Sequence, residues 1–256
     1  MSFSLDSITS TKQDLPPRFI LHGAEKIGKS TFFSNAPEPI FIQTETGLAN
    51  IDAKAFPHAR ALQDVFEQLG VLAESDHAFK TVVIDSLDWL ESLIHKQVCV
   101  DFDVTTIELA AGGFGKGYGE ALIYWQRIID TLEHLQIEKN MNIGLICHSR
   151  IVTINDPDFE SYDRWAMKLH EPKSNNTGAL SLFNEWADII GFARRRMVVV
   201  KKGEGSKQRT MGMDAGNREL CLEGTPAFLA GNRYKDMPAS IELSWNAFEQ
   251  AMNNRG

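Results

Sequence analysis

The densest chemistry in this chain lies in the run Gly23-Ala24-Glu25-Lys26-Ile27-Gly28-Lys29-Ser30, followed by Thr31. It fits the pattern G-x-x-x-x-G-K-[ST], whose glycines let successive backbone N–H groups wrap an anion at the start of a helix. In that pattern Lys29 reaches the β- and γ-phosphates of a nucleoside triphosphate, and the Ser30 hydroxyl holds Mg²⁺. Gly23 to Thr31 are therefore the candidate cradle, with ATP and Mg²⁺ as the expected cofactors. Lys26 reads as a solvated loop charge.

Three further residues stand where such a site needs them. Asp85 closes the apolar run Thr81-Val82-Val83-Ile84 and has the placement of a carboxylate that supports the same Mg²⁺ as Ser30. The next residue is Ser86, not Glu, so a base that orients an attacking water must come from elsewhere. Glu45, in Thr44-Glu45-Thr46-Gly47 after the run Pro39 to Gln43, is the best-placed carboxylate, the alternative being a loop acid that caps a helix. His148 ends the run Asn142 to Cys147 and is suited to sensing the γ-phosphate, or else to a structural role.

The elements that must position these groups follow from hydrophobic patterning. Arg18 to His22 reads as a buried strand entering the glycine loop, and Thr31 to Asn35 as the helix leaving it. Pro39 to Gln43, Thr81 to Ile84, Asn142 to Cys147 and Ala187 to Ala193 read as further strands. Between them, Glu120 to Ile137 places Leu122, Trp125, Ile128, Ile129, Leu132 and Leu135 at helical spacing. Strands alternating with helices predict an α/β fold with a mostly parallel central sheet flanked by helices. From Met197 onward, shorter pieces (Met197–Lys201, Gln208–Met213, Glu219–Leu222, Ser240–Leu243) separated by turn residues such as Asp214-Ala215-Gly216-Asn217 predict an antiparallel extension. Val100 to Gly119 and Arg150 to Gly178 read as long irregular stretches, and loops of that length in a compact domain are usually functional or disordered.

With 256 residues, 43% hydrophobic, the chain can bury one sizeable core, which we divide as an N-terminal arm, 1–16, and a core, 17–256. Cys99, Cys147 and Cys221 form no C-x-x-C pair, and no signal-like or membrane-length apolar run is present, so a cytoplasmic protein without a membrane partner is expected. A net charge of −8 argues against a surface that is basic throughout. Locally, Arg194 to Arg209 carries seven basic residues against the single acid Glu204, either a solvated hairpin or a polyanion contact.

This layout resembles the RecA-type recombinase core: the P-loop, a glutamate after the next strand (FIQTE), a Walker B Asp-Ser (VVIDS) and a polar residue after the fourth strand (LICHSR). In RecA-like proteins that last position is usually glutamine, so His148 is a departure. The resemblance continues through GGFGKGYG (112–119), Asn-Thr-Gly-Ala-Leu (176–180) and ADIIGFARR, and covers about residues 17 to 245. The compact form, ending in AGNRYKDMP, is similar to the core-only RecA-like single-strand annealing ATPases encoded by bacteriophages. That resemblance implies ATP-linked binding and annealing of single-stranded DNA in phage recombination. It also implies a homo-oligomeric filament or ring with ATP at subunit interfaces, and a single-strand-binding protein as a possible partner. Carried over by position, 112–119 and 150–177 would be the two DNA loops. Lys116, Arg150, Arg164 and Lys168 would then meet phosphates, and Phe114, Tyr118, Phe159, Tyr162 and Trp165 would meet bases. Arg233 takes the position of a cation that reaches a neighbouring subunit's γ-phosphate.

Two other functions share the same cradle. A ring helicase or translocase uses this core with an additional loading domain. A nucleotide-binding switch or small-molecule kinase does not act on DNA and needs an acceptor-binding lid instead.

Overall fold

The computed structural model describes residues 14–157, 160–172, 177–202 and 209–254. Of the N-terminal arm, 1–13 lie outside the described residues, as do Phe159 and Lys207. The parallel sheet is built from runs that bury both faces, which is why they read as unbroken apolar segments. β1 (Arg18–Gly23) pairs with β5 (Asn142–Ile154) on one side and with β7 (Ile189–Lys202) on the other. β4 (Thr81–Asp85) lies between β5 and β2 (Pro39–Gln43), and the two-residue β3 (Lys54–Ala55) closes that edge. Beyond β7 the sheet turns antiparallel, with β8 (Arg209–Cys221) and then β10 (Ser240–Glu242), while β9 (Gly231–Asn232) pairs with β7. Among the described residues the path is β10-β8-β7-β1-β5-β4-β2-β3.

Side chains alternate across this sheet and divide the core. Ile20, Ile42, Ile84 and Leu145 face α2 (Leu62–Glu74), α3 (Leu87–Asp101), α4 (Gly117–Glu138) and α5 (Ala179–Trp186), where Trp125 and Phe183 are fully enclosed. Phe19, Leu21, Phe41 and Val83 face α1 (Lys29–Ser34) and α6 (Trp245–Asn253), which contribute Phe32, Phe33, Trp245 and Phe248. Each such fully buried side chain is worth about 1.5–3 kcal/mol. Gly144 of β5 makes room for this packing, since a Cβ there would stand 2.7 Å from the Phe33 ring.

Three expectations change. Arg150 to Gly178 is not one irregular stretch: β5 runs on to Ile154 and pairs antiparallel with β6 (Tyr162–Met167). At His148 the burial of β5 switches from continuous to alternating, because there the strand leaves the sheet and becomes a hairpin arm. Met197–Lys201 is the continuation of β7, and Asp214-Ala215-Gly216-Asn217 is no turn between strands but part of β8. Arg195 pairs with Arg218 and Met197 with Asp214, so three residues of β8 oppose Arg196 alone, and Gly216 takes a positive φ of 79° in that bulge. Finally, Val100 to Gly119 is shortened at both ends by α3 and α4 and contains a 3-10 turn at Ile107–Gly112.

Candidate active site

The cradle lies at the C-terminal end of β1. Gly23 is pressed against β7, where a Cβ would meet the Ala193 carbonyl oxygen at 2.5 Å. Gly28 has φ 111°, a conformation that L side chains rarely adopt, and leads directly into α1. Lys29 is 6% exposed, and its ammonium curls back to donate to the carbonyls of Gly23 (3.0 Å) and Ala24 (2.8 Å). Burial lowers its pKa, with Asp85 the first of the charges that oppose the shift. Glu25 and Lys26 are exposed on the rim, as is Thr31, while Ile27 packs beneath.

Ser30 Oγ donates to Asp85 Oδ2 at 2.6 Å, across the sheet position held by β5. Burial raises the Asp85 pKa, against the Ser30 hydrogen bond and the Lys29 charge. A hydroxyl and one carboxylate suit Mg²⁺, which keeps most of its shell as water and phosphate oxygens. The described residues hold no cluster of three or more His, Cys, Asp or Glu that could cage an ion, and the bonded Ser30–Asp85 pair would suit one held mainly by water and phosphate.

Beyond Asp85, the ends of β2, β4 and β5 present a second group of side chains. Thr44 ties β2 to β4: its N–H donates to the Asp85 carbonyl, its Oγ1 donates to the Ser86 carbonyl, and it accepts the Ser86 N–H. This holds the next residue, Glu45, beside Asp85. Burial raises the Glu45 pKa, His148 opposes the rise, and Asp85 and Asp88 add to it. His148 Nε2 is 4.0 Å from Glu45 Oε1, an ion-pair distance beyond hydrogen bonding. Its Nδ1 donates to Asp88, 3.0 Å from each carboxylate oxygen, and its backbone N–H also donates to Asp88 Oδ1. The Asp88 hydrogen bond is the main cause of a raised His148 pKa. Burial pushes Asp88 upward, but its bonds from His148 and Ser86 outweigh that and hold it below the usual carboxylate value. Asp88 is the group sequence reasoning missed as an orienter of His148. The available signal was its place in the first turn of the helix after the Asp85 strand.

Arg233 lies elsewhere. It pairs with Asp188 Oδ1 at 3.4 Å and with the Glu185 carbonyl, and Asp188 also pairs with Arg18 at the N-terminal end of β1. The cradle is at the other end of that strand, so Arg233 does not converge on this chain's own Lys29 and Ser30.

The residues expected to touch DNA fall into distinct places. Phe114 is 100% exposed with φ 58° at the tip of 112–116, next to exposed Lys116. A bulky residue held in that conformation with no packing around it invites a functional explanation. Tyr118 is not a free platform: His170 stacks on it at 3.7 Å and Glu108 accepts its hydroxyl, which joins the first loop to the end of the second. In the hairpin, Arg150 pairs with Ala166 and Val152 with Arg164, which sets both arginines on one face. Trp165, 40% exposed, pairs with Ile151 on the other face. Lys168 stands 3.8 Å from Asp88 Oδ2. Of the basic stretch, Arg194 is engaged internally with Glu219 and over the Phe228 ring.

A family model described as an AAA domain (AAA_24) matches residues 15–234. The chain belongs to this AAA-domain family. Membership agrees with the P-loop NTPase fold described above and points to nucleotide-dependent activity in this AAA-domain protein. A comparison with curated proteins finds no match to it. No helix among its described residues is long and apolar enough to cross a membrane.

Proposed function

We propose that this AAA-domain protein hydrolyses Mg-ATP and couples turnover to binding single-stranded DNA, annealing complementary strands in phage homologous recombination. One observation carries the coupling. β5 bears His148 at the nucleotide end and continues without a break into Arg150 and the hairpin, and Asp88, which orients His148, also lies 3.8 Å from Lys168. A DNA phosphate drawn to Lys168 competes for that cation and changes the charge balance around the His148–Asp88 pair.

In this reading the Gly23–Thr31 backbone and Lys29 bind the phosphates, and Ser30 and Asp85 hold Mg²⁺. When bound there, Mg²⁺ would supply charge that offsets the outer phosphates. Glu45 orients the attacking water; burial raises its pKa, which makes it a stronger base than a free carboxylate. His148, protonated at both ring nitrogens with its Nδ1–H held by Asp88, donates from Nε2 toward the γ-phosphate. Arg233, remote from its own cradle, serves the ATP of an adjacent copy in a filament or ring. The setting is the cytoplasm of the host cell, where a single-strand-binding protein is a fitting partner.

ATP turnover with and without an unstructured oligonucleotide tests the reading, followed by annealing of two complementary labelled strands. Stimulation with annealing supports it. Stimulation with duplex unwinding instead makes the protein a translocating motor, and indifference to DNA leaves a nucleotide switch.

A further inference from the structure

A cavity of about 460 Å³ opens over α3, outside the nucleotide cradle, lined by Trp89, Glu91, His95, Tyr118, Arg150 and Lys168 among others. That volume falls in the range of small-ligand sites. We propose that it takes one nucleotide of a bound single strand, the base laid against Trp89 and its phosphate held by Arg150 and Lys168. The inference rests on the single-strand reading above and adds to it a pocket and residues that reading does not use.

Four observations carry it. Trp89 is 51% exposed in the first turn of α3, at the edge of this cavity. A scattered surface apolar residue needs no explanation, but an indole beside two cations is the combination that single-strand sites employ. Second, the other aromatic wall is already occupied. Tyr118 stacks on His170 at 3.7 Å with an interplanar angle of 3°, and His95 meets it edge-on at 5.4 Å, which leaves Trp89 as the open platform. Third, Arg150 Nε is buried and has no hydrogen-bond partner. Arg150 also lines the cavity and makes no salt bridge among the described residues, so a phosphate oxygen would suit its terminal N–H groups. The Glu91 carboxylate is turned to the backbone, both its oxygens accepting the His170 N–H at 2.9 and 3.0 Å.

Fourth, the polar groups deeper in the cavity suit the edge of a base better than a second anion or a metal. Burial lowers His95 to about 4, so it is a neutral ring with one donor and one acceptor. Burial raises Glu91 to about 7, which reduces the negative charge that would repel a phosphate nearby. Because stacking accepts any base, the pocket predicts little sequence preference.

The test uses the full chain, a fluorescein-labelled oligo-dT and free dTMP, which distinguishes a strand from a mononucleotide. Trp89→Ala should weaken oligo-dT binding about 10- to 100-fold at nearly constant salt slope, and Trp89→Phe should recover most of it. Arg150→Ala should instead flatten the slope of log K against log salt by roughly 0.7. An oligonucleotide carrying 5-iodouracil should crosslink to the peptide containing Trp89. Wild-type binding by Trp89→Ala, with Lys116→Ala and Arg164→Ala still weakened, overturns the pocket and leaves the single-strand reading standing. Failure of the wild-type chain to bind oligo-dT overturns both. Tight dTMP binding that oligo-dT does not displace also overturns the proposal, in favour of a small-molecule site.

Discussion

Replacing Asp88 by Asn removes the charge that holds His148 while keeping one acceptor oxygen for the Ser86 hydroxyl and the His148 N–H. The bond lost in character is the one from Nδ1, now 3.0 Å from both carboxylate oxygens and largely shielded from water. A hydrogen bond to a charged group contributes about 1.5–3 kcal/mol, and one pKa unit corresponds to about 1.4 kcal/mol. Asp88→Asn should therefore lower the His148 pKa and cost about 1.5–3 kcal/mol of stability where the pair is charged. Its raised folded pKa means that its pairing stabilises the fold fully below the unfolded value of 6.5 and loses that contribution as pH rises through the folded value. Asp88 has the opposite sign: its contribution is present above the unfolded 3.8 and is lost as pH falls through its depressed folded value. The variant should thus lose most stability between about pH 5 and 6.5 and least near pH 9. If His148 acts as the imidazolium, turnover at pH 7.5 should fall about 10- to 100-fold. Proton NMR titration of the His148 ring, with thermal melts at three pH values, measures both. An unchanged His148 titration in Asp88→Asn would refute the reasoning.

Lys29→Ala should remove most ATP binding, because it takes away the buried ammonium that now donates to the Gly23 and Ala24 carbonyls of the loop; isothermal titration with an ATP analogue checks it. Lys116→Ala and Arg164→Ala should each weaken single-strand binding and flatten its salt dependence by roughly 0.7, while Trp165→Ala, on the opposite face of the hairpin, should lower affinity at nearly constant slope. Titrations at three salt concentrations distinguish the two behaviours. Gly144→Ala should destabilise the fold by about 1–3 kcal/mol, since its Cβ would stand 2.7 Å from the Phe33 ring, and a urea melt reads the loss directly.

The strands of the parallel sheet were legible because burial on both faces writes them as continuous apolar runs: Phe19 to Leu21, Ile40 to Ile42, Val82 to Ile84 and Ile143 to Cys147 are all buried. The hairpin was not, because Arg150 to Ile154 and Tyr162 to Trp165 mix charge with isolated apolar residues, a pattern that solvated strands share with loops. The Asp214–Asn217 cluster carries turn chemistry, and the chain uses Gly216 for a bulge inside β8. At the site, the cradle is local in sequence and so declares itself. The Ser30–Asp85 bond needed only the apolar run that precedes Asp85. The Asp88–His148 bond spans 60 residues and exists only because the sheet order sets β5 beside β4, so neither residue announces the other. Arg233 and Tyr118 show a different limit: their residue types are legible in the sequence, while the partners they meet within the chain, Asp188 and His170, come only with the fold.

In the function proposed above, this AAA-domain chain turns over ATP under the control of a single DNA strand. Steady-state phosphate release, measured with Mg²⁺ and rising oligo-dT, tests it most directly, with Glu45→Gln as the reference. The account predicts release that increases with oligo-dT to a plateau in the wild type, and release about 100-fold lower or more in Glu45→Gln, with ATP still bound. Release that is the same with and without DNA, or a Glu45→Gln variant that keeps wild-type turnover, would contradict it.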